Sequence, residues 1–261
     1  MAFVLLTVLA VGFSALAVRS ILGEPGDQAS PGGTSGSPTP SATSPSIVSP
    51  SPSPSGSPRL FGAFRFLKRV GEGPVRWDPC ESITYAINTG GAPGVVADLR
   101  RALREVTRVT GVRFQPAGVS HETFLRAYRR MRYGGVNRKA ELVVIWVDHE
   151  AYQEILRQLN DPRPSIAFAK TMAGLYGNRD QYFGGIIVVD EDATAERGFA
   201  YRYAHGAVLL HELGHIMGLD HVRDPNQLMY SGRHPNVGIR DYGTGDLEGL
   251  RRLGADAGCL S

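Results

Sequence analysis

The sequence has almost no charge imbalance. Its 261 residues carry 28 Lys and Arg against 25 Asp and Glu, a formal +3 at neutral pH. That is too mild to hold a polyphosphate backbone, so nucleic acid is not an expected partner. Arg129, Arg130, Arg132, Arg138 and Lys139 do cluster, but a solvated loop or helix face accounts for them. Cysteine is nearly absent too. Cys80 and Cys259 lie near the two ends of the presumed folded domain. In an exported protein that placement suggests one disulfide tying the start of the domain to its end. By chain-entropy reasoning so long a loop contributes about 4–5 kcal/mol, although measured gains are often smaller.

Residues 23–58 have few apolar side chains and are dominated by Pro, Ser, Gly and Thr. Such a stretch cannot offset its ordering entropy by burial and is expected to be an extended, solvated linker. Before it, residues 2–18 contain no charge, and no basic residue precedes them. The segment 1–22 reads in two ways, as a secretory signal with Ala15-Leu16-Ala17 as a small-x-small cleavage site, or as an uncleaved membrane anchor. Either reading places residues 59–261 outside the cell, released or tethered to the membrane.

The most informative stretch is His211-Glu212-Leu213-Gly214-His215-Ile216-Met217-Gly218-Leu219-Asp220-His221. On a helix His211 and His215 stand over one another on one face, within reach of one metal ion. Gly218 lets the chain leave the helix through a conformation that side chains disfavour, and the turn can return His221 to the same point. Three neutral imidazoles suit zinc and leave its fourth position open, the arrangement of a catalytic site. Glu212 stands beside the first ligand, placed to act on a water. His121, His149 and His234 have no metal spacing. His205 falls on another helix face and is either structural or solvent-facing.

This pattern resembles the metzincin metalloproteases. Asp224-Pro225-Asn226-Gln227-Leu228-Met229-Tyr230 follows the third histidine at a spacing most similar to the matrixin branch. Ile83-Thr84-Tyr85-Ala86-Ile87 and Val109-Thr110-Gly111-Val112-Arg113-Phe114 are similar to the first two strands of a matrixin catalytic domain. The resemblance covers roughly residues 76–259. It implies an α+β, zincin-like fold: a mixed five-stranded sheet, about three helices including the active-site helix, and a small C-terminal lobe. It also implies that Met229 supports the metal site by packing and that Tyr230 is a candidate for transition-state or pocket contacts. Asp190 and Asp192 are candidate calcium ligands by the same resemblance, against the simpler reading of a solvated acidic turn. Ligands for the second, structural zinc of matrixins are not recognisable between Pro164 and Val189. Nor does Trp77-Asp78-Pro79-Cys80 resemble the inhibitory propeptide motif, which favours the disulfide over a metal-blocking Cys80 thiolate.

Periodicity supplies the elements. Strands are expected over 82–88, 112–115, 141–148, 166–171 and 184–189, with 166–171 as the edge strand lining the substrate cleft. Helices are expected over 92–110 (Val95, Leu99, Leu103 and Val106 inward), 149–160, 203–217 and 244–253, the last with Thr244 as a candidate cap. Residues 120–138 are ambiguous. The function expected is a monomeric zinc endopeptidase acting on extracellular protein or peptide. Two alternatives stay open: a zinc amidohydrolase of cell-wall peptides, and a non-catalytic, zinc-stabilised surface module.

Overall fold

Leu142 to Val147 is apolar at every position because both faces of the strand it forms are covered. The computed structural model describes residues 64–89, 94–133, 140–161, 165–176, 179–194, 196–232 and 238–260. The apolar run 2–18, the linker 23–58, Arg138, Lys139 and His234 lie outside the described residues. Three two-residue strands come first, β1 (Arg65–Phe66), β2 (Arg69–Val70) and β3 (Gly73–Pro74). Then follow β4 (Ser82–Asn88), α1 (Val95–Thr110), β5 (Arg113–Val119), α2 (Phe124–Tyr133), β6 (Leu142–Val147) and α3 (His149–Gln158). The chain continues through β7 (Ala167–Tyr176), β8 (Arg179–Asp190), α4 (His205–Met217), β9 (Leu219–Asp220) and α5 (Thr244–Leu253). Among the described residues no helix is long and apolar enough to cross a membrane.

The main sheet has the order β5-β4-β6-β8-β7. Pairing is parallel except between β8 and β7, so the sheet is mixed and β7 is an antiparallel edge. Side chains of β6 alternate between two cores. Leu142, Val144 and Trp146 pack with Leu99, Leu103, Leu209 and Leu213 of α1 and α4. Val143 and Ile145 pack on the opposite face with Phe124, Met131, Tyr152 and Leu156 of α2 and α3. The result is a three-layer α+β arrangement with five α-helices, not about three.

The ambiguous stretch 120–138 carries α2, whose periodicity is weak because Phe124, Ala127 and Met131 are its only buried residues and arginines fill much of the rest. Its neighbour α3 is capped at Asp148, whose side chain accepts from Ala151 N at 2.8 Å. The β7–β8 hairpin runs well past the expected ends, with a register shift between Met172 and Ala173. At α5 the cap is Gly243, not Thr244, and Asp246 Oδ2 accepts the Gly243 N–H at 3.1 Å.

Cys80 and Cys259 form a disulfide with Cα atoms 5.5 Å apart, linking the approach to β4 with the C-terminal tail. Cys80 is thereby unavailable as a ligand. Near the domain's start, β1 pairs with β9, which lies between the second and third motif histidines.

Candidate metal centre

The helix α4 is buried almost all round, which is how it can carry polar groups under the sheet. It ends at Gly218, whose φ of 114° is open only to glycine, and whose N–H closes on Gly214 O and His215 O at 3.1 and 3.0 Å. Space also demands the glycine: a Cβ there would lie 2.9 Å from Tyr182 Cε2.

This turn brings the three predicted histidines together. His221 Nε2 lies 3.1 Å from His211 Nε2 and 3.2 Å from His215 Nε2. Their partners on the far side settle the tautomers. His211 Nδ1 lies 2.8 Å from Leu228 O, and His215 Nδ1 lies 2.8 Å from Leu219 O. A carbonyl can only accept, so both Nδ1 atoms carry the proton and both Nε2 atoms present lone pairs to the cluster. Lone pairs this close repel unless a cation sits among them. Zn–N bonds of about 2.0–2.1 Å at tetrahedral angles separate ligand nitrogens by about 3.3 Å, so the set fits zinc. Burial, and then the neighbouring imidazoles, hold His211 well below the usual histidine range, which keeps it neutral as a ligand.

Glu212 is buried, and its Oε2 has no hydrogen-bond partner among the described residues. Burial pushes its carboxyl up to about 8, with Arg202 pulling the other way. A buried acceptor without a partner, on the residue that follows a candidate metal ligand, fits a group that works on water and proton.

Met229 is fully buried against α4, where a Cβ added to Gly214 would fall 2.5 Å from its sulfur. Tyr230 is half-buried, with its backbone bridged to Val222 and its ring against Gly232. The turn carrying both is held from outside the motif. Arg202 Nη1 donates to Leu228 O at 2.7 Å, and Asp246 Oδ2 accepts Leu228 N at 2.6 Å. Gln227 Oε1 accepts the N–H groups of Gly245 and Asp246 at 2.8 and 3.0 Å, tying the turn to the start of α5. Arg202 and Asp246 escaped sequence reasoning, and Gln227 was visible there only as part of the 224–230 stretch, because each acts at long range.

The calcium expectation is not supported. Asp190 Oδ1 accepts the N–H groups of Asp192 and Ala193 at 3.1 Å, and its Oδ2 meets His149 Nδ1 at 2.6 Å. Asp192 Oδ2 accepts His149 N at 2.9 Å, at the start of α3. These carboxylates shape the loop after β8 and join it to α3, where a cation site would turn them toward a common centre. His205 is structural: Trp146 Nε1 donates to its Nε2 at 2.7 Å and its Nδ1 lies 3.2 Å from Asp98 Oδ2.

With this geometry in place, comparison with known proteins is direct. Residues 150–253 match the family model for matrixin, a span running from α3 to the end of α5 that includes the three histidines, Glu212 and Met229. The resemblance to matrixins read from the motif is thus shown for less than half of the chain, the part that builds the metal centre, and there it supports a zinc metallopeptidase. A solved structure similar to the chain is archaemetzincin from Methanopyrus kandleri. It is 17% identical with a TM-score of 0.40, over 66% of this chain and 95% of that one. No curated protein matches the chain.

Proposed function

We propose that this chain is an exported zinc endopeptidase that cleaves extended segments of extracellular proteins or peptides, with Glu212 as the general base. The observation that carries the reading is the convergence of three imidazole Nε2 atoms, two with tautomers set by carbonyls, together with a buried and unpartnered carboxylate oxygen on the residue after His211. His211, His215 and His221 would hold the zinc, which would supply Lewis acidity when bound. Glu212 Oε2 takes the proton from the attacking water and delivers it to the departing amine.

An extended substrate is supported by the position of β7 at the sheet edge, where main-chain hydrogen bonds can add a further strand. Recognition of that kind reads backbone before side chains. Export is supported by the uncharged run 2–18, the linker 23–58 and the disulfide. A non-catalytic zinc module has no use for an unpartnered buried carboxylate, which favours the enzyme.

The test is turnover of mixed unfolded proteins by the full chain and by Glu212→Gln, with zinc measured in both. Zinc in both and cleavage only by the wild type is the expected result. Equal cleavage by the variant removes the general-base role, and no zinc in either removes the metal centre.

A further inference from the structure

Arg202 stands three residues before α4 and is buried. Its guanidinium spends donors on main-chain carbonyls either side of Met229: Nη1 on Leu228 O at 2.7 Å and Nη2 on Tyr230 O at 3.1 Å. Leu228 O is also the acceptor for His211 Nδ1, at 2.8 Å. One oxygen therefore receives both a metal-ligand side chain and a buried cation. From the other side Leu228 N donates to Asp246 Oδ2 at 2.6 Å, so this residue is gripped between opposite charges.

We propose that Arg202 is a positioning residue for the metal centre, fixing the Leu228 carbonyl that orients His211 and selects its Nδ1–H tautomer. A histidine ligand depends on the group that its second nitrogen faces, because that partner sets ring rotation and leaves one nitrogen as the donor to metal. Here the partner is a carbonyl in a loop, and a loop carbonyl is only as well placed as whatever holds it. Arginine suits the task because its planar fork reaches both carbonyls at once, whereas lysine offers a single charged point. Burial keeps these bonds from exchanging with water. The inference rests on the zinc reading of the site and extends it to the turn beneath.

The experiment uses the full chain as wild type, Arg202→Met, Arg202→Lys and Leu156→Ala, the last a control in the core on the far face of the sheet. Zinc affinity is measured by chelator competition, the ligand field by the visible spectrum of the cobalt-substituted protein, and fold stability by melting of the metal-free form. Arg202→Met is expected to bind zinc about 10–100-fold more weakly and to shift the cobalt bands, with Arg202→Lys between it and wild type. Leu156→Ala is expected to melt earlier while keeping both wild-type affinity and spectrum. An Arg202→Met protein that melts early but binds zinc like wild type overturns the proposal and makes the residue a structural plug. Should Arg202→Met not fold, Arg202→Lys decides: altered affinity and bands sustain the proposal, wild-type values overturn it. Wild type that holds no zinc overturns this inference together with the metal reading. Zinc binding without peptide cleavage overturns the proposed reaction alone and leaves Arg202 to the affinity measurement.

Discussion

Gly214 lies against Met229, so closely that a Cβ on the glycine would sit 2.5 Å from the methionine sulfur and 3.2 Å from its methyl. The helix bearing the metal ligands thus meets the turn below it through a position with no side chain. Gly214→Ala is expected to push the turn away from α4, costing about 1–3 kcal/mol and weakening zinc binding. Adding Met229→Ala makes room for the new methyl. The double variant should therefore be more stable than the two single effects summed, and a double-mutant cycle in urea measures that coupling. Strict additivity would mean the two residues do not press on each other.

His205 predicts acid sensitivity. Burial lowers its pKa more than Asp98 raises it, so in the folded protein it resists protonation. The unfolded chain binds the proton near pH 6.5 and the folded one only at lower pH. Its contribution is therefore fully present above about pH 6.5 and is lost as pH falls toward the folded value. Relative to His205→Gln, the wild type should lose more stability between pH 7.5 and 5, read from urea midpoints at the two values. His205→Gln should also be about 1–3 kcal/mol less stable at neutral pH, through the disturbed Trp146 bond.

Asp246 predicts the opposite sign. Burial pushes its carboxyl up to about 6, although the N–H groups it accepts and Arg202 oppose the shift. An unfolded aspartate titrates near pH 3.9, so between about 4 and 6 the folded state binds the extra proton. Stability from this group therefore rises as pH falls through 6 and is lost as pH rises. The wild type should gain on Asp246→Asn by about 1 kcal/mol between pH 7 and 5. A parallel pair of pH profiles would show that Asp246 is ionised throughout.

The disulfide should matter to the fold and little to the site. Cys80→Ser with Cys259→Ser removes a closure across 179 positions of sequence and should cost up to about 5 kcal/mol. The melting temperature should fall, while zinc content and turnover at low temperature stay near wild type. Loss of zinc in a folded double variant would show that the tail braces the metal centre.

Legible from the letters alone were the parts whose information is local. Two histidines four apart on a helix, a glycine that only a left-handed turn needs, and a third histidine three residues later converge with little help from the rest of the chain. The buried strand β6 and the inward face of α1 were legible for the same reason, since period and burial coincide. Long-range packing sets whatever depends on which way a polar side chain turns. Asp190 and Asp192 look like cation ligands in a string of letters, yet their oxygens are spent on nearby N–H groups and on His149. Arg202 and Asp246 look like surface charges, yet they meet across Leu228 beneath the metal centre. Hydrogen bonds between residues 18 and 26 positions apart leave no periodic trace, because packing and not spacing brings the partners together.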